Sequence, residues 1–220
     1  MWKNLSHKAR RVYSQSGEEG ILETLFESVG TTNKCLVDIG AGDGTALSNT
    51  RLFLEHGWHG ARFDANYAKD VNQERIDAEN VCDILAKYNV PGEFDLLSLD
   101  VDGIDWWILR ALLRQYSPRV VVCEVNPTLP EYPPVVIEYN PNHRFDECNY
   151  FGGSLSAFVR LMEAKHYTCV WVHESFNAFF VRKDLLPEGW TTPLQFAPRA
   201  SWGLDPQARP WHLVVDEDVR

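Results

Sequence analysis

A short apolar strand followed by three closely spaced glycines most restricts how this chain can fold. The apolar run Cys35–Ile39 leads into Gly40, Gly42 and Gly44, and a helix-like pattern follows over residues 45–56. Glycine has no Cβ, so the backbone at such positions can turn tightly and lie close to a ligand. Because the turn leads into the N-terminus of a helix, the motif predicts a strand–turn–helix that cradles a small molecule.

Apolar runs typical of strands alternate with helical patterns along the chain. Strands are predicted at residues 35–39, 61–64, 94–99, 120–125, 167–172 and 178–181, and helices at 16–29, 45–56, 80–88, 104–112 and 155–162. Such alternation indicates an α/β protein with a mostly parallel sheet covered by helices on both faces. The last two strands are joined by a short turn, so they are expected to pair antiparallel. At the first helix, Ser16 and Glu19 have the form of a capping box, and Gly30 follows as a stop.

Composition excludes several classes of function. The chain has 31 acidic and 21 basic residues and a net charge of −10, and an acidic surface repels phosphate, so nucleic acid is not expected as a partner. No run approaches the roughly 18 apolar residues of a membrane span. The N-terminus lacks the apolar stretch of a secretory signal. The five cysteines are odd in number and never spaced as CxxC, which indicates free thiols and a cytoplasmic location.

The alternating pattern ends near residue 186, so the chain is divided into a domain (residues 1–186) and an extension (residues 187–220). Within the domain, residues 126–153 are rich in Pro, Asn and Tyr, and a loop of that length is usually functional or a lid. The extension contains Trp190, Trp202 and Trp211, and no regular structure is predicted for it. Its tryptophans could form the contact of a homodimer or pack against the sheet.

Acidic residues end four of the predicted strands: Asp38, Asp64, Asp100 and Glu124. Ligands of parallel sheets bind beyond the carboxyl ends of the strands, where these acids are expected. Asp38 and Asp43 would repel a pyrophosphate but suit a ligand with an ammonium or sulfonium group. Asp64 follows Gly44 by 20 residues, where a carboxylate can accept both ribose hydroxyls. The simpler alternative is a tight turn that binds nothing.

These motifs resemble the cofactor site of class I S-adenosylmethionine (SAM)-dependent methyltransferases, and most closely the FkbM-like methyltransferases. The resemblance extends over residues 13–185. It rests on residues 14–22 (SQSGEEGIL), 42–44 (GDG), 48–50 (SNT), 57–60 (GWHG), 94–103 (FDLLSLDVDG), 121–127 (VVCEVNP), 152–155 (GGSL) and 177–181 (NAFFV). Each segment alone has low specificity, and the set is specific.

The resemblance implies a Rossmann-like fold whose seven-stranded sheet is mostly parallel and has an antiparallel last strand. It also implies SAM as the cofactor, with the glycine turn under the methionine part and Asp64 on the ribose. The implied cofactor site comprises Gln15, Asp38, Gly40, Gly42, Asp43, Gly44, Asn49 and Asp64. Where the family often has Glu followed by Pro, this chain has Asp64 followed by Ala65, so a shorter acid must reach the ribose.

A second group of polar residues follows two neighbouring strands: Asp100, Asp102, Glu124 and Asn126. Carboxylate and amide oxygens suit Mg²⁺, Ca²⁺ or Mn²⁺, and without a cation the carboxylates would repel one another and one would keep a proton. The pattern is similar to that of metal-dependent catechol-type O-methyltransferases, in which the metal gathers substrate oxygens.

Each member of this group also has a simpler interpretation. Asp102 could cap the helix that follows, and Asn126 could shape the turn before Pro127. Asp100 could hold the amino group of SAM or act as a general base. In the long loop, His143 is a candidate general base near neutral pH, although a single loop histidine can equally be a solvated surface residue.

The predicted activity is SAM-dependent methyl transfer to a small molecule, at oxygen rather than at nitrogen or carbon. The candidate catalytic residues are Asp100, Glu124 and His143. Two alternatives remain: an enzyme that binds SAM but catalyses a non-methylating reaction, and a non-catalytic binding module with a methyltransferase-like fold.

Overall fold

The computed structural model describes residues 4–67, 69–174, 176–188, 190 and 203–220. In this part of the chain the helices are α1 (Glu18–Val29), α2 (Arg51–Glu55), α3 (Val81–Lys87), α4 (Asp105–Leu112) and α5 (Leu155–Ala164). The strands are β1 (Cys35–Ile39), β2 (His59–Asp64), β3 (Asn72–Gln73), β4 (Glu93–Leu99), β5 (Ser117–Glu124), β6 (Val135–Ile137), β7 (Tyr167–His173), β8 (Asn177–Arg182) and β9 (Trp211–Leu213). Short 3-10 helices lie at Ser6–Lys8 and Lys183–Leu185.

Seven strands form one sheet in the order β3-β2-β1-β4-β5-β8-β7. β1 to β5 run parallel, whereas β8 is antiparallel to both of its neighbours, β5 and β7. The structure confirms the α/β class and the mostly parallel, seven-stranded sheet with an antiparallel last strand. The strand order reverses between β1 and β4, and in such sheets the crevice beyond that point is where ligands bind.

Helices cover both faces of the sheet because side chains of the central strands alternate between two cores. Leu96 packs with Leu25 of α1 and Phe53 of α2 on one face, and Leu97 packs with residues of α3, α4 and α5 on the other. Both leucines are fully buried. Strands that are buried on both faces have continuous apolar sequences. For this reason β1, β4 and β5 could be predicted from the sequence.

Two local predictions were wrong. Of the helix predicted at residues 45–56, only Arg51–Glu55 forms, because Asp43 accepts hydrogen bonds from the Thr45 and Ala46 amides and Leu47 has a positive φ of 58°. The first helix begins after Gly17, whose φ of 100° is left-handed, and no capping box with Ser16 forms. The predicted end of the first helix at Gly30 is confirmed. The predicted N-terminal cap of α5 is also confirmed, since the Ser154 side chain accepts from the Ala157 amide.

The long loop and the C-terminal segment contain regular structure that the sequence did not predict. β6, inside residues 126–153, pairs antiparallel with β9, so that Val135 faces Leu213 and Ile137 faces Trp211. Trp202 lies outside the described residues. All five cysteines are free thiols. Among the described residues, no helix has the length and apolar character needed to cross a membrane.

Candidate active site

A cavity of about 520 Å³ lies beyond the carboxyl ends of β1, β2 and β4. That volume is within the range of small-molecule sites, roughly 300–1,000 Å³. Its walls come from the glycine turn, the end of β2, the turn after β4, the segment after β3 and residues 141–145 of the long loop. Several of the candidate residues line it: Gly40, Gly42, Asp64, Asp100, Asp102 and His143.

Two glycines shape the cavity floor. Gly40 has a φ of 86°, and a Cβ at this position would overlap the backbone oxygen of Asp100, so only glycine lets the ends of β1 and β4 come together here. Gly42 also has a positive φ, 55°, but apart from its chain neighbours no atom of the described residues lies within 4 Å of the place its Cβ would occupy. The backbone at Gly42 is therefore open to a ligand.

Asp64, at the end of β2, is held beside this turn by backbone amides. Its Oδ2 accepts from the Gly42 amide at 3.1 Å, and its Oδ1 accepts from the Asn66 amide at 2.7 Å and the Tyr67 amide at 3.2 Å. Because each carboxylate oxygen has two lone pairs, Oδ2 keeps acceptor capacity for a ligand. Asp64 thus links the glycine turn to β2 at the cavity wall.

Four residues expected at the cofactor have other positions or contacts. Asp43 is exposed and caps the turn that follows it, and those hydrogen bonds lower the pKa of its carboxyl. At Gly44, a Cβ would meet the guanidinium of Arg62, which also donates to the Gly44 carbonyl. The side-chain nitrogen Nδ2 of Asn49 donates to Ser98 Oγ at 3.2 Å. Gln15 is exposed in a segment whose Ser14 bridges to Leu47. None of the four lines the cavity.

Asp38 is buried beneath the glycine turn rather than exposed to the cavity. Its Oδ2 accepts from Thr50 Oγ1 at 2.5 Å, and burial raises the pKa of its carboxyl to about 6 despite that bond and the nearby Arg62. Its role in the structure is to join β1 to the start of α2.

Three carboxylates meet at the ends of β4 and β5. Oxygen atoms of Asp100, Asp102 and Glu124 all lie within 4.8 Å of one another. Burial raises the pKa of Asp100 and of Glu124 well above ordinary values. Repulsion from Asp102 raises the pKa of Asp100 further, and repulsion from Asp100 raises that of Glu124 further. Burial also raises the pKa of Asp102, which has a left-handed φ of 53°. Glu124 Oε2 is buried without a hydrogen-bond partner among the described residues.

Asp105 shapes the turn that carries two of these acids, and the sequence analysis did not identify it. Its Oδ1 accepts from the Val101 amide at 2.7 Å, and its Oδ2 accepts from the Gly103 amide at 2.9 Å. Burial raises the pKa of Asp105 to about 6. An acid in the first turn of α4 was the signal that could have revealed it, since short acids favour such local bonds to backbone amides.

Asn126 does not join the carboxylates in the way the sequence suggested. Its amide nitrogen donates to the Asn149 and Phe151 carbonyls, both at 2.8 Å, and its Oδ1 accepts from the Thr128 amide and from Thr128 Oγ1. Both lone pairs of Oδ1 are therefore used. The residue holds the end of the long loop beside β5, and we remove it from the candidate metal ligands.

His143 lies where the long loop returns over the cavity. Its Nε2 is buried without a hydrogen-bond partner among the described residues, and its ring lies against Gly103. Burial lowers the pKa of His143, and Arg209 lowers it further. An imidazole that is neutral at pH 7 has a free lone pair, so it can accept a proton.

A family model described as the Methyltransferase FkbM domain matches residues 28–162. One matching solved structure, an O-methyltransferase family protein from Burkholderia thailandensis, is 9% identical with a TM-score of 0.38. The match covers 75% of this chain and 56% of that one, so the chain spans just over half of that protein's length. No curated protein matches the chain.

Proposed function

Because the chain belongs to the methyltransferase FkbM domain family, we propose that it transfers a methyl group from SAM to an oxygen of a small molecule. The observation that carries the proposal is the cavity, which brings the glycine turn, Asp64 and the acidic turn after β4 around one volume of about 520 Å³. The same volume adjoins His143, a group able to accept a proton. Cofactor binding and acceptor activation would therefore take place side by side.

The residues around the cavity fit SAM. Asp64 retains acceptor capacity for ribose hydroxyls, the open backbone at Gly42 allows close approach of the methionine part, and the buried Phe63 and Ile76 give an apolar wall for an adenine. When bound, SAM supplies an electrophilic methyl group on a positively charged sulfur. The carboxylates at the end of β4 favour a cation on that side of the cavity.

An acceptor hydroxyl needs a group that takes its proton. His143 fits this role because its buried Nε2 is unpartnered among the described residues and burial favours the neutral imidazole. Asp100 and Glu124 are the further candidates, since a carboxyl with a raised pKa is a stronger base than an ordinary one. Acid–base assistance of this kind contributes about 10²- to 10⁴-fold in rate.

We extend the proposal to a divalent cation such as Mg²⁺ held by Asp100, Asp102 and Glu124. The close oxygens, their mutual repulsion and the unpartnered Glu124 Oε2 support it. A cation bound there would supply charge that lowers the pKa of a substrate hydroxyl. The carboxylates would in turn stay ionised, because the cation offsets the repulsion among them.

Calorimetric titration with S-adenosylhomocysteine tests the proposed function. We expect binding to the wild-type chain and at least a tenfold loss of affinity in Asp64→Ala. Asp83→Ala, at an exposed acid on α3, serves as the matched control and should bind like the wild type. Absence of binding at millimolar ligand would contradict the proposal. If SAM is consumed, methylthioadenosine in place of S-adenosylhomocysteine would identify the non-methylating alternative.

A further inference from the structure

We propose that Arg209, in the C-terminal segment beyond the residues that the family model matches, is a positioning residue for the cavity. It holds the long loop so that Pro141, His143 and Phe145 form one wall. The extension would then complete the ligand site. The inference rests on the proposed function only for the identity of the ligand.

Arg209 joins the C-terminal segment to the loop through Nε and Nη2 of its guanidinium group. Nη2 donates to Asp146 Oδ2 at 2.8 Å and to Cys148 Sγ at 3.0 Å, both on the loop. Nη2 and Nε also donate to Asp205, on the segment itself, at 3.0 Å each. The guanidinium carbon lies 4.3 Å from the ring centre of Tyr150. The planar fork of arginine permits this set of contacts, which the single ammonium of lysine cannot reproduce.

Further bonds place the segment and the loop in fixed register. The Tyr150 hydroxyl donates to the Pro210 carbonyl at 2.7 Å and accepts from the Glu138 amide at 3.1 Å. The Asn149 amide donates to the Gly203 carbonyl at 2.8 Å. Tyr150 is buried, so these bonds are protected from water. Arg209 therefore acts on a loop whose two ends are already fixed, and it orders the residues between them.

The loop segment between these anchors is the part that reaches the cavity. It is also held by Arg75, whose Nη2 donates to the Pro141 carbonyl at 2.8 Å and to the His143 carbonyl at 3.1 Å. Arg75 thus holds residues 141–143, and Arg209 holds residues 146–148 of the same loop. The ring of Tyr150, under the Arg209 guanidinium, lies 6.1 Å from the ring of His143.

The charges around His143 show that Arg209 is close enough to affect the site. After burial, Arg209 is the largest influence on the pKa of His143 and lowers it, while Asp146 raises it and Arg75 lowers it. Loss of Arg209 would therefore change both the position of the loop and the charge that faces the imidazole.

The test compares Arg209→Gln with the wild type in the full chain. We expect S-adenosylhomocysteine affinity to fall at least tenfold, and hydrogen exchange to rise in peptides from residues 140–148 but not in peptides from β4 and β5. The ring signals of His143 in NMR spectra, assigned with His143→Gln, should shift while those of His7, His56 and His166 stay in place. Arg209→Lys should restore part of the affinity.

Two further variants separate positioning from general stability. Asp216→Asn removes the exposed ion pair with Arg160 that ties the same segment to α5, and it should leave affinity and the His143 signals unchanged. Asp146→Asn removes the negative charge of one loop partner of Arg209 without altering the segment. It should lower affinity and raise loop exchange as Arg209→Gln does, and it tests the contact from the loop side if Arg209→Gln fails to fold. Unchanged affinity and loop exchange in Arg209→Gln and Asp146→Asn would overturn the inference. If the wild type binds no S-adenosylhomocysteine, the proposed function fails, and loop exchange and the His143 signals still decide the role of Arg209.

Discussion

The ring of His143 lies directly against the backbone of Gly103. A Cβ built on Gly103 would come within 2.5 Å of His143 Cδ2, closer than carbon atoms pack in proteins. Gly103 belongs to the turn after β4 that also carries Asp100 and Asp102, and its carbonyl accepts from the Gly152 amide at 2.8 Å. The absence of a side chain here lets the long loop bring an imidazole beside the acidic turn.

We predict that Gly103→Ala displaces His143 and weakens the site without unfolding the protein. The added methyl group occupies the space of the imidazole, so the loop must move outward. The expected result is a shift of the His143 ring signals and a fall of several-fold in S-adenosylhomocysteine affinity. Gly92→Ala is the control, because a Cβ there would come no closer than 3.8 Å to the Gln115 carbonyl. Equal affinity in both variants would show that the contact has no bearing on ligand binding.

The buried Asp38 is predicted to make stability depend on pH. Burial raises the pKa of Asp38 from 3.8 to about 6, so the folded chain holds the proton more tightly than the unfolded chain. Protonated Asp38 therefore stabilises the folded chain fully below pH 3.8, and this stabilisation is lost as the pH rises through 6. Relative to Asp38→Asn, the wild type should lose about 3 kcal/mol of unfolding free energy over this interval, at about 1.4 kcal/mol per pKa unit.

Urea unfolding of both proteins between pH 4 and pH 8 measures this difference. Asp43→Asn provides the control, because hydrogen bonds lower the pKa of the exposed Asp43 from 3.8, so its contribution is lost only below that pH and its difference from the wild type should stay constant over this range. A difference between wild type and Asp38→Asn that stays constant with pH would refute the raised pKa.

Glu19 is predicted to be a major support of the N-terminal segment. It is fully buried, and its Oε1 accepts from the Tyr13 amide at 2.5 Å and the Ser14 amide at 2.8 Å, while Oε2 accepts from Ser14 Oγ. Glu19→Gln would turn an amide nitrogen towards some of these donors. We expect a loss of about 1–3 kcal/mol in unfolding free energy.

The matched control for Glu19 is Glu23→Gln on the same helix. Glu23 pairs with Arg10 at 2.6 Å, but both side chains are partly exposed, and such pairs contribute roughly 0–1 kcal/mol. Chemical denaturation of the two variants under the same conditions compares them. Equal losses would mean that the buried hydrogen bonds of Glu19 are no stronger than a surface ion pair.

The sequence predicted those parts of the site that depend on local order along the chain. Apolar runs located the strands, and an acid that ends a parallel strand must lie at the carboxyl edge, which is where Asp64, Asp100 and Glu124 are found. The position of Gly40 in the turn after β1 could be predicted from the strand and the turn alone. These features follow from the two-residue period of strands and from the glycine backbone.

Roles that depend on partners far along the chain could not be predicted in this way. Gly44 looked like a ligand contact, yet it is small because Arg62 packs against it. Asn126 looked like a metal ligand, yet it binds carbonyls more than 20 residues away. The contact between Arg209 and Asp146 joins two irregular segments, and no periodic pattern marks either residue.

The three carboxylates at the ends of β4 and β5 lead to the last prediction. With their oxygens within 4.8 Å, they repel one another unless a cation or protons intervene. Asp102→Asn should therefore raise the unfolding free energy at pH 8 in a chelator, and asparagine keeps the left-handed backbone of this position accessible.

Added Mg²⁺ should stabilise the wild type, by about 2.7 kcal/mol at a concentration 100 times the dissociation constant, and should stabilise Asp102→Asn much less. Asp83→Asn should respond to Mg²⁺ like the wild type. If Mg²⁺ and Mn²⁺ leave the wild-type stability unchanged, the carboxylates bind no such cation and share protons instead, and the proposal of methyl transfer then rests on His143 as the base.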